Sequence, residues 1–311
     1  RSGETNLEKI VASKEYHRIR EIIASRRSSS GRPVDIEKFR GNMESTARSL
    51  PAKVNGLMID AGGVPGELQA TSEASENHLI IYFHGGGYIG GSIATHRNLT
   101  GHLAQRSNCR VLSVEYRLAP EHPHPAAVED AVKSYRWSLS EGYEPSNIAL
   151  AGDSAGGGLA AACLLALKSE GLPLPRSAVL ISPWLDMSLS GESMTSNADN
   201  DSSISPQSMP RTRELFISDS EIDDPLASPL AADLTGLPPL MIQVGDEEIL
   251  LSDSTRFADK AQEAGVSVNL RVWPEMFHVW HACVGLFEEA SDAIGEMAEF
   301  MLNEFALDNS N

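Results

Sequence analysis

Ser154 sits in Gly152-Asp153-Ser154-Ala155-Gly156, the one G-x-S-x-G of the chain. An apolar, strand-like run, Asn147 to Ala151, precedes it, and a stretch of helix formers, Leu159 to Leu167, follows. Strand, sharp turn and helix are the context in which this motif exposes a nucleophilic hydroxyl at a sheet edge. Glycines at 152 and 156 remove side chains that would crowd such a turn. A serine hydroxyl is a weak nucleophile until a base takes its proton. Of nine histidines, His278 has the placement expected of that base. It follows the strand-like Val268 to Trp273 and a short turn, near the C-terminus, in the chain order serine, acid, histidine. His281 is the nearest rival. A carboxylate must then hold the imidazole tautomer. Asp246, Glu247, Glu248 and Asp253 all follow the strand-like Leu240 to Val244, and residue chemistry alone leaves the choice open.

An acyl-transfer intermediate also needs donors for its oxyanion. The run His84-Gly85-Gly86-Gly87 follows the strand-like Leu79 to Phe83, and glycines there let backbone N–H groups approach closely. The Ala155 N–H, at the positive end of the helix after Ser154, adds another donor.

The elements that must carry these residues are short apolar runs separated by helical stretches: Leu79–Phe83, Val111–Tyr116, Asn147–Ala151, Ala178–Ser182, Leu240–Val244 and Val266–Trp273. Several are continuously apolar, as strands covered on both faces are. This alternation predicts an α/β fold with an open, largely parallel sheet and helices on both faces. Residues 1–52 read as two helical segments, Leu7–Ser25 and Asp35–Leu50, separated by a Ser/Gly/Pro break at Ser28–Pro33. Apolar Leu7, Ile10, Val11, Ile19, Ile22 and Ile23 give the first its stripe. Residues 53–187 and 225–311 are the expected core. Residues 188–224, rich in Ser, Asp, Asn and Pro, read as an insertion, partly helical around Pro210 to Ile217, that joins the N-terminal helices as a cap.

Composition narrows the classes. Of 311 residues, 41% are hydrophobic and 22% charged, ordinary for a globular protein with a large core. A formal net charge of -18 opposes binding to nucleic acid or an anionic membrane. Cys109, Cys163 and Cys283 are odd in number and form no C-x-x-C. They read as free thiols of a reducing, cytoplasmic compartment. Arg1 to Ile10 is polar and does not read as a signal peptide.

A rival class occupies the same glycines. Gly85-x-Gly87-x-x-Gly90 matches the dinucleotide pattern G-x-G-x-x-G, and Glu115 on the next strand could face a ribose. Two points oppose it: the residues after Gly90 do not predict a helix, and Ser154 and His278 would go unused. No H-E-x-x-H, phosphate-binding P-loop or Cys/His metal spacing is present.

Taken together, these motifs resemble the bacterial hormone-sensitive-lipase-like esterases of the α/β-hydrolase fold. The matching pieces are His84-Gly85-Gly86-Gly87-Tyr88, Tyr116 to Glu121, Gly152 to Gly157 and Phe277-His278, and the similarity runs from about Val54 onward. The resemblance implies Gly86, Gly87 and Ala155 as oxyanion donors, with His84 and Gly85 supporting the loop. It implies Ser154 and His278 as nucleophile and base. The family's acid lies three residues after the glycine that ends its strand, which here is Glu248. The family usually has Asp there, so Asp246 remains the alternative. Also implied are hydrolysis of short- to medium-chain carboxylic esters without metal or organic cofactor, a small-molecule ester as substrate, and homodimers as a common form. Two other readings share the scaffold: an amide or lactone hydrolase, and a non-catalytic small-molecule receptor that would have lost its base. Here the histidine is present.

Overall fold

The structure is a computed structural model that describes residues 12–27 and 34–307. Leu7, Ile10, Val11 and the Ser28–Pro33 break lie outside the described residues. The described elements begin with α1 (Lys14–Arg26), α2 (Ile36–Glu44), β1 (Asn55–Asp60), β2 (Pro65–Ala70), β3 (Ser75–Phe83), α3 (Ile93–Ser107) and β4 (Cys109–Val114). They continue with α4 (Ala126–Ser140), β5 (Ile148–Asp153), α5 (Ala155–Ser169), β6 (Ser177–Ile181), α6 (Ser193–Ser196) and α7 (Met209–Phe216). Last come β7 (Leu240–Gly245), α8 (Leu251–Glu263), β8 (Val268–Trp273) and α9 (Glu288–Leu307).

The eight strands form one sheet in the order β1-β2-β4-β3-β5-β6-β7-β8. From β4 to β8 all pairs are parallel, while β1–β2 and β2–β4 are antiparallel. The six strands expected from apolar runs are present, with ends shifted by a few residues. The β1–β2 hairpin was not expected. β1 is an edge strand with mostly exposed residues, so burial left no pattern on it. Its pairing is set instead by the turn Ala61 to Val64, closed by the Ala61 N–H on the Val64 carbonyl at 2.7 Å.

Strand alternation divides the core between two faces. Leu79, Ile81 and Phe83 of β3 join Leu159, Leu164 and Leu167 of α5 on one side. Ile80 and Tyr82 join Leu99 and Leu103 of α3 and Met297 and Met301 of α9 on the other. Each fully buried leucine or methionine contributes roughly 1.5–3 kcal/mol. Helix α1 packs on this second face through Tyr16, Ile19 and Ile23, while Ile22 points to solvent. Its N-cap Ser13 is tied to Glu289 of α9 through N–H and hydroxyl at 2.5 and 2.8 Å. Helix α2 starts where expected, with Asp35 accepting from the Lys38 N–H at 3.0 Å. It ends at Glu44, short of the expected Leu50. There the Ser45 and Thr46 hydroxyls fold back onto the carbonyls of Asn42 and Met43.

One expectation is corrected: the residues after Gly90 do open a helix. Ser92 and Thr95 cap α3 reciprocally, Thr95 standing in for the usual Glu. The Glu115 carboxylate also accepts the Ile93 N–H at 2.8 Å. A pyrophosphate at this helix start would meet that carboxylate, so the dinucleotide reading fails for electrostatic reasons and not for want of a helix.

Candidate active site

Ser154 lies between β5 and α5 with φ 54° and ψ −121°, a conformation L residues rarely adopt. The turn is held from both sides. The Ser154 N–H donates to the Ile181 carbonyl at 2.8 Å, and its carbonyl accepts from Trp184 N–H at 3.0 Å. Gly156 is required sterically, since a Cβ there would sit 2.0 Å from the Phe83 carbonyl oxygen. The tight elbow points the hydroxyl at the carboxyl end of the sheet.

The structure brings three of the expected side chains together there. His278 Nε2 is 2.9 Å from Ser154 Oγ, and His278 Nδ1 is 2.8 Å from Glu248 Oε2. Glu248 Oε1 accepts the Gly245 N–H at 2.6 Å and the Ser182 hydroxyl at 2.7 Å. Glu248 is completely buried and His278 nearly so. Burial lowers the basicity of His278, but its hydrogen bond to Glu248 and that residue's charge outweigh burial, so the net shift is upward. Burial is also the largest influence on Glu248 and pushes its carboxyl up, opposed by His278 and the Gly245 N–H.

The other candidates lie elsewhere. Asp246 Oδ1 accepts the Glu275 N–H at 2.7 Å and so braces the turn that leads to His278. Glu247 pairs with Arg20 of α1. Asp253 accepts the N–H groups of Leu185 and Asp186 at 2.8 and 3.0 Å, and burial pushes its carboxyl up to about 7. His281 is buried with Nε2 on Gln243 Oε1 at 2.7 Å, and burial drops it to about 3. Neither ring nitrogen of His281 is placed on Ser154.

The Gly85–Gly87 loop follows β3. Gly86 has φ 127°, and a Cβ there would sit 2.2 Å from the Gly90 carbonyl oxygen. Ile89 and Gly90 N–H groups both donate to the Gly86 carbonyl, at 3.1 and 3.0 Å, so the turn closes without using the Gly86 amide. His84 is packed under this loop, stacked on Tyr116 at 4.3 Å with Nδ1 on the Gly85 carbonyl at 2.9 Å. Burial lowers it to about 3.

Several residues at the site escaped the sequence reading. Asp153, inside the G-x-S-x-G, accepts from Tyr82 hydroxyl at 2.7 Å and from Gly85 N–H at 3.1 Å, and meets His96 Nε2 at 3.3 Å. Burial opposes its ionisation, but His96 and Tyr82 hold it down at about 2. One carboxylate thus ties the Ser154 turn to the glycine loop. Its place in the motif was the available signal. From the insertion, Asn197 Nδ2 donates to the carbonyls of Asp246 and Glu248, each at 2.9 Å. Buried Asp201 accepts the Ile249 N–H at 3.0 Å. Phe216 of α7 stacks on Tyr88 with ring centres 3.8 Å apart. No pattern in a Ser/Asp/Asn-rich stretch separates such contacts from a solvated loop. Among the described residues, no group of three or more His, Cys, Asp or Glu could hold a metal ion. No helix among them is long and apolar enough to cross a membrane.

Comparison with known proteins agrees with this architecture. A family profile for the alpha/beta hydrolase fold matches residues 80–282. An acetyl-hydrolase of Streptomyces hygroscopicus is 44% identical over 73% of this chain and 76% of its own. An esterase of Acinetobacter venetianus is 39% identical over 78% of this chain and 80% of its own. A solved esterase of the bacterial hormone-sensitive lipase family superposes with a TM-score of 0.89 at 41% identity, covering 95% of this chain and 100% of that one. The crystal structure of EstE5 soaked with p-nitrophenyl butyrate gives 0.92 at 38% identity, with the same coverage.

Proposed function

This chain belongs to the alpha/beta hydrolase family, in its bacterial hormone-sensitive-lipase-like branch, and from that premise we propose that it is a serine carboxylesterase acting through Ser154, His278 and Glu248. The observation that carries the assignment of residues is the continuous chain Ser154 Oγ, His278 Nε2, His278 Nδ1, Glu248 Oε2, with contacts of 2.9 and 2.8 Å. His278 accepts the Ser154 proton as Oγ attacks the ester carbonyl. The Gly86, Gly87 and Ala155 N–H groups receive the oxyanion, helped by the positive end of α5. His278 then returns the proton to the departing alcohol. In the second half a water, deprotonated by His278, attacks the acyl-serine and releases the acid. Glu248 stays ionised and stabilises the imidazolium of both halves.

The substrates we assign are short- to medium-chain esters. A relative soaked with a butyrate ester supports this, as does α7 lying directly over the glycine loop. Thr212 Cγ2 would be 2.7 Å from a Cβ at Gly87. We assign residues 1–52 and 188–224 to a cap. Arg27 after α1 donating to the carbonyls of Ala198 and Ile204, at 2.6 and 3.2 Å, supports that pairing. The free state of Cys109, Cys163 and Cys283 supports a reducing, cytoplasmic setting. Purified protein is expected to hydrolyse p-nitrophenyl esters of short acids, and Ser154→Ala to abolish nearly all of it. A wild type without turnover, or a mutant that keeps it, would reject the assignment.

A further inference from the structure

Ser182 follows β6, and no motif singles it out. Its φ is 43°, where glycine is favoured and a side chain is strained. It is fully buried. Glycine would satisfy this backbone with less strain, so the hydroxyl is what the position retains. That hydroxyl donates to Glu248 Oε1 at 2.7 Å. It also accepts the N–H of Val279, the residue after His278, at 3.3 Å. The Ser182 N–H is fixed on the Gln243 carbonyl of β7 at 2.7 Å. One small side chain therefore touches both the carboxylate of the acid and the loop that carries the base.

We propose that Ser182 is a positioning residue for the hydrolysis, its hydroxyl locking the Glu248 carboxylate so that Oε2 stays on His278. The proposal rests on the reading of Glu248 as the acid. The physical need follows from the length of that acid. Glutamate has one more torsion than aspartate, and its terminal torsion is broad, without sharp staggered wells. Without Ser182, Oε1 would rest on the Gly245 N–H alone and Oε2 on an imidazole whose loop has lost its Val279 contact, so carboxylate and ring could shift together. A second donor from another direction removes that freedom. In a fully buried site, the hydrogen bond to an ionised oxygen is among the stronger kinds.

The test measures kcat and KM for p-nitrophenyl butyrate in Ser182→Gly and Ser182→Ala, each made in the wild type and in Glu248→Gln. Glycine accepts the left-handed backbone, so Ser182→Gly is expected to keep or raise the thermal midpoint. Its kcat should fall by roughly ten- to a hundredfold, with KM within about twofold, in keeping with loss of a hydrogen bond to a charged group. In the Glu248→Gln background the same change should cost less than about threefold, because the effect passes through that carboxylate. Ser182→Ala decides on the same terms if the glycine variant fails to fold. A kcat within about threefold of wild type, or an equal loss in both backgrounds, overturns the proposal alone. An unchanged kcat in Glu248→Gln by itself overturns the acid assignment and this proposal with it.

Discussion

The two ends of the central strands solve the same geometric problem with different residues. At the amino ends, Gly142 before β5 and Gly265 before β8 take the left-handed turns, and Asn108 before β4 is of the residue type other than glycine that best tolerates one. A Cβ at either glycine would meet nothing within 4 Å, so these two positions only reverse the chain. At the carboxyl ends, beside the glycine loop at Gly86, Gly87 and Gly91, positive φ is also taken by Tyr88, Ser154, Ser182, Glu275 and Val279, at 43° to 63°. Each such residue is strained by ~1–3 kcal/mol, tolerated only where surrounding contacts fix it. A groove of about 470 Å³, lined by Trp137, Arg110 and Tyr143, lies at the amino end, away from Ser154. Strain gathers around the candidate site: Ser154 and Ser182 are themselves strained, and Glu275 and Val279 lie in the loop that carries His278.

Substitutions can break that contrast, beginning with the largest expected effect. Glu248→Gln should lower kcat by about 10²–10⁴, because a neutral partner no longer fixes the imidazole tautomer. Asp246→Asn should cost less than about tenfold, since Asp246 only accepts the Glu275 N–H. Steady-state kinetics of the two decide the acid, and a larger loss from Asp246→Asn would move the assignment.

Next in size is a matched pair of glycines. Gly86→Ala should reduce kcat by ~10²–10³, as loss of an oxyanion donor does, because its Cβ would collide with the Gly90 carbonyl. Gly142→Ala, at the amino end, should cost about 1–2 kcal/mol of stability for the left-handed backbone and leave kcat within about twofold. Denaturant unfolding and kinetics on the same samples separate the two. Equal effects on kcat would erase the distinction between the ends.

The smallest effect sharpens the comparison through pH. His278 must be neutral to accept the Ser154 proton, so kcat/KM falls as pH drops through its pKa. Burial lowers that pKa, but Glu248 outweighs burial and Asp201 and Asp153 add to its pull, so the acid limb should lie above the ordinary histidine value. Glu248→Gln removes the main opposing charge, and the limb should move to lower pH. A limb that does not move would mean that Glu248 does not face the titrating base.

Much of the fold was legible because continuous apolar runs belong to strands buried on both faces, as β3, β5 and β7 are. The β1–β2 hairpin was not, since exposed Leu57 and Met58 carry no burial alternation. Helix α3 was hidden because Ser92 and Thr95, which read as loop residues, cap it. At the candidate site, chain order and flanking elements were enough to single out Ser154 and His278, whose side chains lie 2.9 Å apart. Glu248 needed the family resemblance, because three neighbouring acids share its surroundings in sequence and only folding separates them. Ser182, Asn197 and Asp201 had no local signal. Their roles depend on contacts with Glu248 and Ile249, some fifty residues or more away.

The central claim is that Ser154 carries the acyl group, and mass spectrometry tests it directly. The protein is incubated with p-nitrophenyl butyrate, quenched in acid within the first turnovers, digested and analysed peptide by peptide. A butyryl adduct on Ser154, present in the wild type and absent from Ser154→Ala, is the predicted result. Turnover with no adduct on Ser154, or an adduct on another residue that tracks the rate, would contradict the account.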